Sequence, residues 1–142
     1  MSDFSAFFAQ NKIKHENVKF AVSKNFIGKD GKPIEWELRA LSADEDEELR
    51  RAATRKVKTS ARSASYTSEL DSNTYLAKMT AMAVVYPNLN DVELQNSYKV
   101  MGAENLLKKM LSAGEYVQLS SKVAEINGFD NDVNELVEEA KN

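Results

Sequence analysis

Residues 73–86 carry one charge, Lys78, in a chain in which 29% of residues are Asp, Glu, Lys or Arg. Tyr75, Met79, Met82 and Tyr86 fall on one helical face of this run, and Leu76 and Ala83 fall on another. A helix that is apolar on most sides has to be surrounded, so the run predicts a central helix with other elements packed about it. Pro87 lacks the amide hydrogen needed to continue the ladder and sets its end. The near-apolar part, 79–86, is far shorter than the ~20 residues a bilayer span requires, and no membrane segment is expected.

The residues that follow read as short helices. Asn90-Asp91-Val92-Glu93 is a cap for a helix running to about Lys99, with Gly102 as its stop. Leu106, Leu107, Met110 and Leu111 form the stripe of the next helix, closed near Gly114, and Tyr116, Leu119, Val123 and Ile126 form another, closed by Asn127-Gly128. Val133, Leu136, Val137 and Ala140 make a last small amphipathic helix among glutamates.

Upstream the period changes. Ser2 as cap, Asp3 in the first turn and Phe4, Phe7 and Phe8 at i, i+3, i+4 predict a short helix over 2–10. Val18, Phe20 and Val22 then alternate with Lys19, Ala21 and Ser23, as Ile34, Trp36 and Leu38 do with Glu35, Glu37 and Arg39, around the turn-forming Gly28-Lys29-Asp30-Gly31-Lys32-Pro33. The pair predicts an antiparallel hairpin with one apolar face. Ser42-Ala43-Asp44-Glu45 is a capping box opening a helix over 42–57 with an acidic start and a basic end, the order that suits the helix dipole. Residues 58–72, rich in Ser and Thr, read as a loop. The predicted fold is α+β and mostly α-helical: an N-terminal helix and antiparallel β-hairpin packed on a bundle of short helices. At 142 residues it fits one domain, divided as 1–41 (helix and hairpin), 42–57 (charged helix), 58–72 (loop), 73–127 (bundle) and 128–142 (tail helix).

Little in the chain suits catalysis. It has no cysteine, which removes disulfides, thiolate chemistry and cysteine-ligated metals. His15 is the single histidine, in a polar stretch without a second ligand beside it. The run of five carboxylates 44–48 lacks the spacing of a calcium loop. Gly28-Lys29-Asp30-Gly31-Lys32 lacks the further glycine and following helix of a phosphate loop. We therefore expect a non-enzymatic protein with no cofactor, metal or catalytic residue. The absence of a basic, apolar and small-residue leader pattern points to the cytoplasm.

Three surfaces remain as candidates for protein contacts. Phe4, Phe7 and Phe8 have core packing as the default reading and a partner-facing aromatic cluster as the alternative. Arg50, Arg51 and Arg55, continued by Lys56, Lys58 and Arg62, form a basic group whose default reading is a solvated, solubilising face and whose alternative is a contact for an acidic protein surface. Nucleic acid suits this group less well, because an acidic run adjoins it, single-strand aromatics are missing and the net charge is -3. The helices at 91–99 and 103–111 mimic a helix-turn-helix, but Asn105 stands alone as a base-edge reader. The C-terminal stripe of Val133, Leu136 and Val137 faces either its own core or a partner.

The order of segments carries more than any one of them. FSAFFAQN, IEWELRALS with its acidic helix start, TYLAKMTAMAVVYPNLNDVELQNSY and VMGAENLLKKMLSAGEYVQLSSKVAEINGF span most of the chain. In that order they resemble the XkdN-like tail assembly chaperones of contractile-tailed phages and defective prophages of Gram-positive hosts. The likeness lies in helices, prolines and glycines, not in catalytic signatures. It implies a small protein that binds the tape measure protein, keeps that long helical chain soluble, helps recruit tail tube subunits and is absent from the finished tail. Self-association is a further contact it leaves open; no nucleic acid or membrane is implied. The family lends no catalytic residue to carry over. On the residues alone two other classes stay open. One is a tail tube or connector subunit, which usually needs more sheet than two strands; the other is a small DNA-binding regulator.

Overall fold

A computed structural model describes residues 3–129 apart from Ser63. The chain is α+β, with two small antiparallel sheets and five α-helices among the described residues. Strands β1 (Val18–Phe20) and β2 (Trp36–Leu38) pair in the register Val18↔Leu38, Lys19↔Glu37, Phe20↔Trp36. Both are shorter than their alternating pattern. Val22 is buried beyond the end of β1, and the turn is held instead by Gly28 N–H donating to Lys32 O (2.8 Å) and Ile34 N–H to Phe26 O (2.8 Å). Gly31 sits at φ +80°, the conformation an Asp-Gly turn takes cheaply. Trp36 and Leu38 point inward and are 1% and 0% exposed, which accounts for the alternation in the sequence.

The central helix α2 (Ser72–Ala83) ends three residues short of Tyr86, the last residue expected before the stop at Pro87. Val84–Tyr86 becomes strand β5, pairing with β2 through Leu38↔Val84 and Glu37↔Tyr86 with a bulge between them. The β-branched pair Val84-Val85 and Tyr86 fit a strand better than a helix end. Pairing there also gives β2 a partner on its second edge. Asp71 caps α2 by accepting from Thr74 N–H (3.2 Å). The helix packs against α1 (Ala43–Ala53), α4 (Ala103–Met110) and α5 (Ala113–Ile126). Ala77, Met79, Thr80 and Ala83 are its buried residues, while Met82 and Tyr86, expected beside Met79, face solvent.

Helix α3 (Val92–Ser97) is capped by Asp91, as the sequence indicates. The break between α4 and α5 does not fall at Gly114. Ser112 and Glu115 form a capping box there, with Ser112 N–H donating to Glu115 Oε1 (2.9 Å), so Gly114 lies in the first turn of α5. Gly128, at φ +83°, closes α5, and Phe129 N–H returns to Ala124 O (2.8 Å). One cluster joins Trp36 and Leu38 of the sheet to Leu49, Met79, Leu106, Leu107, Leu119 and Val123 of the helices. The tail helix expected at 128–142, with Val133, Leu136 and Val137, lies outside the described residues beyond Phe129.

Candidate partner-binding surfaces

The segment before β1 forms two 3₁₀ turns, Asp3–Phe7 and Ala9–Asn11, and not the α-helix expected over 2–10. A helix that short is marginal unless tertiary packing supports it, and the described residues offer none: every residue of 3–17 is exposed except half-buried Ser5. Phe4, Phe7 and Phe8 are 68%, 81% and 45% exposed, which overturns core packing as their default reading. They cover one another instead. The Phe4 ring lies 6.2 Å from that of Phe7 and 5.6 Å, edge-on, from that of Phe8. Asn11 Nδ2 donates to Ser5 O at 2.7 Å and ties the second turn to the first. The result is a preformed aromatic cluster that, among the described residues, belongs to no core.

Helix α1 takes its charge pattern from the sequence but not the predicted length. The capping box closes as expected, with Ser42 N–H donating to Glu45 Oε1 (3.0 Å) and Glu45 N–H to Ser42 Oγ (3.2 Å). Glu45 also receives both guanidinium nitrogens of Arg39, at 2.9 and 2.7 Å. The Arg39 hydrogen bonds, then the Ser42 amide, lower its pKa to about 2. Asp46 accepts from Arg50 Nε (2.8 Å) and from the Tyr75 hydroxyl, and the Arg50 guanidinium lies 4.5 Å above the Tyr75 ring. Partial burial raises Asp46, but these hydrogen bonds outweigh it and hold its pKa low. Burial, followed by the bond to Asp46, raises Tyr75 to about 12. The trio locks α1 to α2.

This arrangement divides the predicted basic group. Arg50 is occupied with Asp46 and Tyr75, and Arg51 with Glu47 (3.3 Å) and Glu48 (2.6 Å). The helix ends at Ala53, so Arg55 lies on the following strand, not on the helix. Arg50, Arg51 and Arg55 therefore do not make one face.

The remaining cations lie on an element that the Ser/Thr-rich composition conceals. Strands β3 (Thr54–Lys58) and β4 (Tyr66–Leu70) form a regular antiparallel hairpin from Thr54↔Leu70 to Lys58↔Tyr66, where a loop was expected over 58–72. Asp71 N–H donates to Ala53 O (2.9 Å) and closes its base. All its strand residues are exposed except half-buried Val57 and Leu70. With both faces in water there is no apolar alternation to read; Thr54, Val57, Tyr66 and Thr67 were the available signal, as strand-forming residue types.

Two open grooves adjoin the helices. One, of about 220 Å³, is lined by Leu76, Tyr116, Val117 and Ala124 with Ser120 and Ser121. The other, of about 340 Å³, lies among Val100, Met101, Asn105, Lys108 and Lys109. Met79 is in the core, whereas Met101 projects into solvent. Among the described residues no group of three or more His, Asp or Glu is placed to hold a metal, and no helix is long and apolar enough to cross a membrane.

Comparison with known proteins gives these surfaces a setting. The profile of the phage XkdN-like tail assembly chaperone proteins matches residues 4–141. The protein YqbN of Bacillus subtilis, uncharacterised, is 35% identical over 99% of this chain and 93% of its own length. Protein XkdN of the phage-like element PBSX, from the same organism, is 33% identical over 99% of this chain and 94% of its own. The crystal structure of YqbN superposes with a TM-score of 0.75 at 31% identity, covering 92% of this chain and 99% of that one.

Proposed function

The chain belongs to the phage XkdN-like tail assembly chaperone family, and from that premise we propose that it binds the tape measure protein in the host cytoplasm, keeps it soluble and helps bring tail tube subunits to it. The observation that carries this reading is the exposed Phe4–Phe7–Phe8 cluster. A long amphipathic helical client presents an apolar stripe, and three clustered rings on an otherwise exposed segment supply apolar area for it at little conformational cost. The role is non-enzymatic: binding and release. Of the further contacts considered, the stripe of Val133, Leu136 and Val137 is assigned to the same client, with Arg55 as the basic contribution from the hairpin base.

Co-expression with the tape measure protein encoded in the same genome tests the reading. Co-purification, together with rescue of a tape measure that is insoluble alone, is the expected result. Absence of binding with both partners folded, or persistence of this chain in purified tails, overturns it.

A further inference from the structure

We propose that the β3–β4 hairpin is a separate, electrostatic docking arm, whose Lys56–Lys58–Tyr66 face binds a carboxylate-rich protein segment; this rests on the chaperone reading in taking that segment to belong to the client. The arm does not serve the core. It branches out between α1 and α2, which already pack on each other and are locked by Asp46, Arg50 and Tyr75. An isolated hairpin is marginal in water, so one held away from the core needs another reason for its composition.

Charge supplies that reason. From Thr54 to Leu70 the arm carries Arg55, Lys56, Lys58 and Arg62 against Glu69, a net +3, in a chain whose total is -3, which leaves -6 on the remainder. The two faces differ. Strand alternation puts Arg55 directly opposite Glu69, on one face with Val57 and Thr67, so that face carries charges of both signs. The other face presents Lys56 opposite Ser68 and Lys58 opposite Tyr66. Neither lysine has an ion pair among the described residues, and Tyr66 is 57% exposed beside them. Two uncompensated ammonium groups beside an aromatic ring suit carboxylates flanked by apolar side chains. A nucleic-acid backbone fits less well. It carries a charge every ~1.7 Å, far more than two lysines on one face can answer, and the chain as a whole is negative, at -3.

The test uses the full chain and the tape measure protein, with binding measured from low to high ionic strength. The Lys56→Glu/Lys58→Glu variant is expected to bind about tenfold more weakly at low salt and to lose most of the salt dependence of the unaltered chain. Lys56→Gln/Lys58→Gln should fall between the two, with unchanged urea midpoints for both variants. Equal binding by all three overturns the arm while leaving the chaperone reading intact. If the unaltered chain does not bind the tape measure at all, the chaperone reading fails, and the arm is judged on a glutamate-rich twelve-residue peptide and a 20-base-pair DNA duplex. Retention of the peptide, abolished in the Glu variant, supports it. No peptide binding, or tighter lysine-dependent binding of the duplex, overturns it.

Discussion

Replacing Phe7 by Ala separates two roles that an apolar side chain usually combines. With 81% of its surface exposed, Phe7 has about a fifth of roughly 200 Å² covered by the fold. At ~25 cal/mol per Å² that is worth about 1 kcal/mol at most, so Phe7→Ala should shift unfolding free energy by about 0.5–1 kcal/mol. A ring packed in the core would lose ~3–5 kcal/mol on the same change. The uncovered ~160 Å² sets a ceiling near 4 kcal/mol for what a partner gains by covering it. Ordering and desolvation take part of that, leaving roughly 2–3 kcal/mol, about 30- to 150-fold in Kd. Urea denaturation of the free chain and calorimetric titration with the tape measure protein read the two quantities independently. A stability loss above ~3 kcal/mol would place the ring in the core after all. Unchanged affinity with the fold intact would remove the aromatic cluster from the interface.

Three further outcomes follow from the packing. Glu45 has a folded pKa near 2 against an unfolded value of 4.5, so its contribution is present above pH 4.5 and is lost as pH falls from there towards 2. The shift has a ceiling of ~3.4 kcal/mol, and with the pair about a third exposed we expect about 1–2 kcal/mol. Glu45→Gln, which keeps a capping side chain, should therefore be less stable than the unaltered chain at pH 7. A gap in urea midpoints that stayed constant down to pH 2.5 would refute the assignment. Tyr75→Phe removes the bond to Asp46 and should cost about 1 kcal/mol. That loss should largely disappear in an Asp46→Asn background, and full additivity in the double-mutant cycle would show the two to be independent. Leu106→Ala, at a side chain with 0% exposure, should cost ~2–5 kcal/mol, whereas Met101→Ala, at 86%, should cost under ~0.5 kcal/mol; similar thermal midpoints for the two would contradict this core.

What the sequence revealed was set by interactions close in the chain. Ser42 and Glu45 are three residues apart, and their reciprocal hydrogen bonds need nothing from the rest of the fold. The same holds for Asp91 over α3 and for Asn127-Gly128 after α5. Where the outcome depended on distant partners, the pattern misled. Val84–Tyr86 has strand-forming residue types, but they continue the apolar helix pattern until β2 offers its edge, and that strand lies more than forty residues away. Gly114 reads as a stop, yet the signal against it is local: Ser112 and Glu115 on either side spell a capping box. The hairpin β3–β4 buries almost nothing, so it left no periodic apolar trace. For the candidate surfaces, the aromatic spacing of Phe4, Phe7 and Phe8 was legible but their exposure was not, since exposure depends on what the rest of the chain leaves uncovered. The basic group was legible as composition; its division between α1 and the arm depended on where the helix ended.

The residues that hold the fold and those left for a partner form separate sets, which has a kinetic consequence. Trp36, Leu38, Leu106, Leu107, Leu119 and Val123 form the centre of the core, and none belongs to the 3–17 segment or to the hairpin. The two outer elements differ in the kind of force they exert. Charges at a rim act while partners are still apart and mainly set the association rate, whereas apolar side chains act on contact and mainly set how long the complex lasts. Lys56→Glu/Lys58→Glu should therefore slow association with the tape measure protein at low salt and leave dissociation nearly unchanged. Phe7→Ala should do the reverse, shortening the lifetime of the complex at all salt concentrations. Stopped-flow mixing and surface-immobilised dissociation resolve the two rate constants. If both variants alter the same one, the arm and the aromatic cluster act as a single contact, and the division of labour drawn from their positions in the fold is wrong.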